Sequence, residues 1–260
     1  IRSILLKNTF DSTPMKNVLS LFCPLLMLAA SACTLTADYD LKNWPVDADP
    51  VKVGLLLSDR YLATPHKSSG DVSLTDEPTQ IVYSEVCTWL GSTWFAEATG
   101  NRELLTRLQN RFELLFDTLS NLLPPPNHVD NNVFGSVPLD FYLVGGDKKY
   151  LDLGLYYADT QWTLPQDAAL EEKAYADRGY TWQTRIWIDD MFMITAVQSQ
   201  AFRATGDRKY IDRAAREMIL YLDTIQLGNG LFYHAPYAHF SWGRGNGWMA
   251  AGMAEILRAM

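Results

Sequence analysis

Three segments of the sequence share one pattern: a helix end, a glycine, and the start of a new helix. They read EATGNRELLTRL, LVGGDKKYLDLG and RATGDRKYIDRA, and their glycines are Gly100, Gly146 and Gly206. Glycine readily takes the left-handed conformation that ends a helix, and the Asn or Asp that follows can cap the next helix. Each segment therefore predicts a tight helical hairpin, and this repeat limits the chain to an architecture built from such hairpins.

The spacing of the hairpins favours one architecture. The glycines are 46 and 60 residues apart, whereas tetratricopeptide arrays repeat at about 34 residues. The longer spacing leaves room for a loop after each outer helix, as in an α/α toroid, in which hairpins circle a central cleft. The loops would then carry the chemistry. Since a closed ring of six hairpins needs roughly 300–350 residues at this spacing, we expect the toroid to be incomplete at its C-terminus.

Apolar residues at helical spacing predict the helices themselves, and no run of alternating apolar and polar residues predicts a strand, so the expected class is all-α. With 48% hydrophobic and 12% aromatic residues, the chain can bury a sizeable core. The predicted helices are Val51–Ala63, Gln80–Thr99, Arg102–Leu123, Phe134–Val144, Lys149–Thr160, Asp190–Thr205, Arg208–Ile225, and a last one from Trp248 to the end.

The N-terminal part predicts export. Residues 1–14 precede Met15 and are interpreted as an upstream extension, and residues 15–32 combine a lysine, an apolar run and small residues, as a secretory signal peptide does. The segment AASAC resembles a bacterial lipobox with Cys33 as the residue to be lipidated, and cleavage by an ordinary signal peptidase is the alternative. A polar tether, 33–50, leads to the predicted toroid domain, 51–260. We expect a periplasmic protein or one anchored to the bacterial envelope through Cys33.

Composition excludes several partners. The net charge is −8 and no cluster of Lys and Arg occurs, so nucleic acid is not an expected partner. Cys87 is the one cysteine of the predicted folded part, which excludes a disulfide framework or a cysteine metal site there. The four His have no metal-ligand spacing such as HExxH. The sequence therefore predicts neither a metal nor an organic cofactor.

One loop between hairpins, HFSWGRGNGW at 239–248, has the composition of a sugar-binding segment. Its glycines allow a ligand to approach the backbone, Trp242 and Trp248 offer stacking faces, and the planar guanidinium of Arg244 suits a carboxylate. It lacks the GxGxxG spacing of a nucleotide loop. A glycine-rich turn with two packing tryptophans is the alternative interpretation.

A second segment, RIWIDDMFM at 185–193, places two adjacent carboxylates at an expected helix start. A helix N-terminus lowers the pKa of a carboxylate, which is wrong for a proton donor, and burial among aromatic residues or another nearby acid would have to raise it. We interpret Asp190 as the helix cap and Asp189 as the carboxylate that faces the cleft. For Asp189 a mere capping role is the alternative.

These motifs together resemble a known family. WIDDMFM, GLFYH and WGRGNGW are similar to the signature segments of glycoside hydrolase family 105, the unsaturated rhamnogalacturonyl hydrolases, which are related to family 88. YSEVCTW at 83–89 and HVDNNVFG at 128–135 also fit, so the resemblance covers roughly residues 50–260. It implies an (α/α)6 barrel that acts on the 4,5-unsaturated uronic acid at the non-reducing end of oligosaccharides made by polysaccharide lyases.

The resemblance also implies roles for residues. Asp189 stands where the family has its proton donor and Asp130 where it has its second carboxylate, and the reaction is hydration of an enol ether. Some members carry a His in the loop before the catalytic helix, and in this chain Gln183 or Arg185 must take its place. The predicted substrate-binding residues are Arg244, Trp242, Trp248, His234, Gln183, Arg185, Asn246 and Trp89.

The first hypothesis is thus an exported hydrolase of unsaturated uronides from pectin, of the rhamnogalacturonan type. One alternative is an inverting glycosidase that uses Asp130 and Asp189 on a saturated substrate. Another is a sugar-binding lipoprotein without catalysis, in which the same carboxylates only form hydrogen bonds. His234 has the alternative interpretation of an ordinary loop histidine. Asp130 has that of a simple helix cap.

Overall fold

The computed structural model describes residues 44–45, 47–66 and 78–260. The predicted signal peptide, Cys33 and most of the predicted tether lie outside the described residues. The chain divides into two compact units, Ile1–Asp49 and Pro50–Met260, and every helix given below lies in the second.

The described residues are helical, with two isolated β-bridges and no strand. This confirms the all-α class. The helices are α1 Pro50–Ala63, α2 Tyr83–Thr99, α3 Arg102–Glu113, α4 Val129–Asn132, α5 Ser136–Gly145, α6 Lys148–Thr160, α7 Leu170–Asp177, α8 Asp190–Thr205, α9 Arg208–Ile225 and α10 Gly243–Ala259. Within the part of the chain described, no helix has the length and apolar character needed to cross a membrane.

The repeated hairpins form as the sequence predicts. Gly100, Gly146 and Gly206 have φ of 66°, 74° and 72°, so each ends its helix in the left-handed conformation. The residue after each glycine caps the next helix with its side chain: Asn101 accepts from the backbone amide of Leu104, Asp147 from that of Lys149, and Asp207 from that of Lys209. The pairs α2–α3, α5–α6 and α8–α9 are therefore the three predicted hairpins.

Helix α8 lies at the centre of this arrangement. Twelve of its residues, from Asp190 to Ala201, are buried, because α5, α6, α9 and α10 pack around it. A helix enclosed on all sides must be apolar or must pair its polar groups. It does both, since the amide of Gln198 donates to Ala158 O at 2.7 Å and that of Gln200 to Asp140 Oδ1 at 2.8 Å.

Several sequence-based helix assignments were wrong. The helix predicted over Arg102–Leu123 ends at Glu113 and continues as two 3-10 turns, which allow Leu115 and Leu122 both to be buried. Helix α7 was missed because it buries no residue and so carries no apolar stripe. Helix α10 begins at Gly243 rather than Trp248; the glycines suggested a loop because glycine is a poor helix former.

We predict that the hairpin glycines contribute stability through backbone conformation alone. A Cβ at Gly206 would meet nothing within 4 Å, so Gly206→Ala tests only the cost of a left-handed φ. We expect a loss of about 1–2 kcal/mol in the free energy of unfolding, measured by urea denaturation. The matched control is Gly91→Ala, which also meets nothing but lies inside helix α2, and which should stabilise by up to about 1 kcal/mol. Equal effects of the two changes would contradict this explanation.

Candidate active site

The N-terminal ends of several helices meet around one cavity of about 420 Å³. Tyr83 opens α2, Asp130 lies in α4, Asp189 immediately precedes α8, and Arg244 lies in the first turn of α10. The remaining lining residues are Arg185, Trp187, Met193, His234, Phe240 and Trp242. The fold thus brings together residues that are more than a hundred positions apart in the sequence.

The position of this site depends on a buried ion pair next to it. The guanidinium of Arg185 donates through Nε and Nη2 to Asp190 Oδ1 at 2.9 and 2.8 Å, and the Tyr221 hydroxyl from α9 donates to Asp190 Oδ2 at 3.1 Å. Asp190 is fully buried, and burial raises its pKa to about 6 although Arg185 opposes the shift. The sequence-based role of Asp190 as helix cap is wrong, because its oxygens bind Arg185 and Tyr221.

The loop that carries these residues is strained at one position. Ile186 has φ of 53°, a value that a β-branched residue rarely takes. Its backbone amide donates to the Tyr221 hydroxyl at 3.1 Å, and its side chain is buried. Farther back in the loop, buried Glu217 of α9 accepts from the Thr181 amide at 2.6 Å. Helix α9 therefore holds the loop in this conformation, and strain at a site commonly accompanies function.

Asp189 faces the cavity from the other side of the helix start. Its Oδ2 lies 3.6 Å from His234 Nδ1, and both atoms are buried without a hydrogen-bond partner among the described residues. Burial raises the pKa of the Asp189 carboxyl above its usual range, although His234, its own backbone amide and Arg244 act in the opposite direction. The pKa shift has the direction and the cause that a proton donor requires.

Asp130 has a different environment on the same cavity. Its Oδ2 lies 3.5 Å from His128 Nδ1, and its Oδ1 lies 3.8 Å from Arg185 Nη2. Asp130 is partly exposed to solvent and lies near the guanidinium of Arg185. The two carboxylates therefore sit in unlike surroundings, which is how a site separates an acid from a base.

Aromatic rings surround His234, the neighbour of Asp189. The ring of His234 lies 5.1 Å from that of Trp187, 5.3 Å from that of Phe240 and 5.6 Å from that of Trp242. Its carbonyl oxygen accepts from the Ile188 amide at 2.9 Å, which joins the loop after α9 to the loop before α8. His234 and Trp242 thus lie where they were predicted, on the cavity.

Arg244 lies with its guanidinium carbon 4.5 Å above the Trp242 ring. This stacking leaves the edge of the guanidinium available for a planar anion. The arrangement needs a glycine at 245, because a Cβ there would lie 2.4 Å from Trp242 Nε1. The glycine at 245 therefore allows the first turn of the helix to pack closely against Trp242, and the segment is not a flexible loop.

Three predicted binding residues do not line the cavity. Trp89 is fully buried in the core, where its ring packs on Phe112, so it cannot contact a ligand there. Trp248 packs behind the cavity against Tyr83 and Phe192. The Asn246 side chain bonds backbone groups of Phe232 and Trp242, so it fixes the loop. These corrections share one cause, since a motif does not show which face of a helix its residues take.

Two further predicted binding residues lie in the loop before α8. Gln183 is buried and lies outside this cavity, with its amide nitrogen 3.0 Å from Asn132 Oδ1. Arg185 does line the cavity, but its guanidinium is engaged by Asp190. The predicted site residues did not include Tyr83, Trp187, Met193 and Phe240. Tyr83 lies inside the motif YSEVCTW, and Trp187 and Met193 lie inside WIDDMFM, and these motifs were the available signal.

Among residues 44–45, 47–66 and 78–260, no group of three or more His, Cys, Asp or Glu side chains is placed to hold a metal ion.

The fold and the site define the class of the protein. Helical hairpins gathered around a cavity with two carboxylates in unlike environments, aromatic rings and an arginine are the features of a glycoside hydrolase of the helical-toroid type. The model of Glycosyl Hydrolase Family 88 matches residues 58–260, and the chain belongs to this family.

Solved structures support the fold. A family 105 glycoside hydrolase from C. acetobutylicum is 17% identical, with a TM-score of 0.55 over 80% of this chain and 59% of its own. A polysaccharide lyase is 19% identical, with a TM-score of 0.38 over 51% of this chain and 36% of its own, too low to carry an argument. No curated protein matches the sequence. The predicted resemblance and the toroid class are confirmed, and the chain spans 59% of the length of the family 105 structure.

We predict an unusual pH dependence of stability from the carboxyl groups behind the site. Burial raises the pKa of Glu217 to about 7, above its usual value, so the folded state binds its proton more tightly than the unfolded chain does. This contribution destabilises the fold above pH 7 and disappears as the pH falls below the unfolded value, so stability should rise on acidification from pH 8 to 5. The free energy of unfolding can be measured by urea denaturation at each pH and plotted against pH. Glu217→Gln should reduce the slope of this plot by up to about 1.4 kcal/mol per pH unit.

The matched control is Asp212→Asn, which changes an exposed carboxylate of the same helix and should leave the slope as it is. Identical slopes for the wild type and Glu217→Gln would contradict the predicted proton uptake.

Proposed function

We propose that the protein removes a 4,5-unsaturated uronic acid from the non-reducing end of oligosaccharides produced by polysaccharide lyases. The observation that carries this proposal is the pairing of Asp189, a carboxyl whose pKa is raised by burial, with the more exposed Asp130 on the same cavity. Membership in family 88 supports a glycosidic substrate. We further propose a pectin-derived, rhamnogalacturonan-type oligosaccharide, as the sequence motifs imply.

In the proposed reaction, Asp189 acts as the general acid. A protonated carboxyl transfers its proton to C4 of the unsaturated ring, and positive charge develops at C5. The burial of Asp189 favours the neutral acid before transfer. Once the proton has left, the carboxylate gains the attraction of His234 and Arg244. The same groups thus stabilise the charge that forms during the step.

Asp130 acts as the base in this scheme. It takes a proton from the water that adds its hydroxyl group to C5, and the resulting hemiketal then collapses and releases the next sugar. Arg185 and His128 lie on either side of Asp130, at 3.8 and 3.5 Å. The proton from Asp189 and the hydroxyl from water account for all atoms added across the double bond.

Arg244 and the aromatic rings bind the uronic acid. The exposed edge of its guanidinium suits the planar carboxylate at C5, and Trp242 holds the arginine by stacking. Tyr83 and Phe240 offer further ring faces on the cavity wall. A cavity of about 420 Å³ lies within the size range of small-molecule sites.

Export to the periplasm or to the bacterial envelope is a further part of the proposal. It rests on the sequence of residues 15–33 alone. Metabolic labelling with a fatty acid, compared between the wild type and Cys33→Ser, distinguishes lipidation at Cys33 from simple cleavage.

The first test removes the acid. In the full-length protein, Asp189→Asn should lower kcat on an unsaturated disaccharide by about 10²–10⁴-fold, because an amide cannot donate the proton. Loss of the ultraviolet absorbance of the double bond measures the rate. Asp130→Asn should also lower kcat, because the amide cannot accept a proton from water. This decrease in kcat should persist at low pH.

Asp159→Asn is the matched control, since this carboxylate lies in helix α6 and pairs with Arg213 away from the cavity. It should keep the wild-type rate. Full activity of Asp189→Asn would overturn the assigned mechanism. Turnover of saturated but not unsaturated oligosaccharides would favour the inverting glycosidase, and binding without turnover would favour the sugar-binding protein.

A further inference from the structure

One nitrogen of the Arg185 guanidinium faces two carboxylates. Arg185 Nη2 lies 2.8 Å from Asp190 Oδ1 and 3.8 Å from Asp130 Oδ1. The first distance is that of a hydrogen bond, and the second is too long for one. Arg185 Nε donates further to Asp190 Oδ1 and Oδ2 at 2.9 and 3.1 Å. The cation is therefore shared unequally, because three hydrogen bonds hold it on Asp190 while Asp130 lies just beyond hydrogen-bond distance.

The guanidinium could reach Asp130 if Asp190 released it. Its carbon lies 4.3 Å from the centroid of the Trp187 ring. Arg185 and Trp187 together form the wall between the cavity described above and a second cavity of about 420 Å³, which Gln183 also lines. Stacking on a ring sets the plane of a guanidinium but not its position within that plane. A movement of about 1 Å would thus turn the approach to Asp130 into a hydrogen-bonded ion pair.

Tyr221 of helix α9 keeps Asp190 in place for this contact. Its hydroxyl donates to Asp190 Oδ2 at 3.1 Å and accepts from the Ile186 amide at 3.1 Å. One group therefore fixes both the carboxylate and the backbone next to Arg185. Tyr221 and Asp190 are fully buried, so solvent does not replace the hydroxyl. Neither side chain lines the cavity, so any effect on the reaction must pass through Arg185 or the loop.

We propose that Asp190 and Tyr221 are positioning residues of the reaction, which hold the Arg185 guanidinium on Asp190 and so keep it from pairing with Asp130. The inference rests on the proposed function, in which Asp130 takes a proton from water. A carboxylate in a hydrogen-bonded pair with a guanidinium is a weaker base, and the pair occupies the oxygen that water must approach. Asp190 thus keeps the base available, although it does not touch the substrate.

The test asks whether removing the charge of Arg185 reverses the effect of releasing it. In the full-length protein, Asp190→Asn keeps the shape of the side chain but loses the charge that holds the guanidinium. Its kcat on an unsaturated disaccharide should fall about 10²-fold, with KM nearly unchanged. The double change Asp190→Asn with Arg185→Gln leaves a neutral amide pair, and its kcat should exceed that of Asp190→Asn at least about tenfold. A role in folding alone predicts a further decrease, because a second change disturbs the same cluster.

A milder change tests the same role if Asp190→Asn does not fold. Tyr221→Phe removes only the hydroxyl that holds Asp190, and it should lower kcat about tenfold, with KM nearly unchanged. Tyr210→Phe is the matched control, since Tyr210 is a buried tyrosine of the same helix whose hydroxyl donates to Asp159 at 3.2 Å, away from the cavity. Its kcat should equal that of the wild type. Melting temperatures of all variants identify any loss of fold.

The outcomes separate this inference from the proposed function. If the wild type turns over the unsaturated disaccharide but the double variant is no more active than Asp190→Asn, the positioning role is overturned and the proposed function stands. Equal kcat for Tyr221→Phe and Tyr210→Phe would also overturn the positioning role alone. Absence of turnover by the wild type would overturn both.

Discussion

The ion pair between the buried Asp190 and the partly exposed Arg185 is the interaction on which the site depends. Asp190 has no exposed surface, and an unpaired carboxylate at such a position would be very costly. The bidentate contact with Arg185 and the hydroxyl of Tyr221 satisfy it, and the same contacts join the loop before α8 to helix α9. Removing one partner of such a pair typically costs about 3–5 kcal/mol, because the other charge is left buried.

This pair also decides the orientation of its neighbour. Successive residues of a helix project about 100° apart, so when Asp190 turns inward, the side chain of Asp189 must point elsewhere, here into the cavity. The strained backbone at Ile186 brings Trp187 and Ile188 into line with the loop that carries His234, and the Ile188 amide bonds the His234 carbonyl. One ion pair therefore places the acid, its histidine neighbour and the wall between the two cavities.

The sequence predicted the orientation of Asp189 correctly but not the role of Asp190. Asp189 was expected to face the cleft, and it does, because a pair of acids at a helix start cannot both turn inward. Asp190 was expected to cap the helix, which was wrong, because its partners Arg185 and Tyr221 are contributed by the loop and by a helix thirty residues later. The rise in the pKa of Asp189 depends on burial in the folded chain, which no local pattern reveals.

The sequence by itself determined the hairpins, because a left-handed glycine and a capping Asn or Asp act on neighbouring residues of the chain. The end of helix α8 and the start of helix α9 followed from the hairpin at Gly206. It also determined the family, through short motifs of consecutive residues. Only the tertiary structure decided that Trp89 belongs to the core, that Asn246 fixes a loop, and that Gln183 opens onto a second cavity. The physical reason is that burial and pairing depend on contacts between distant segments, whereas helix starts and stops depend on neighbouring backbone groups.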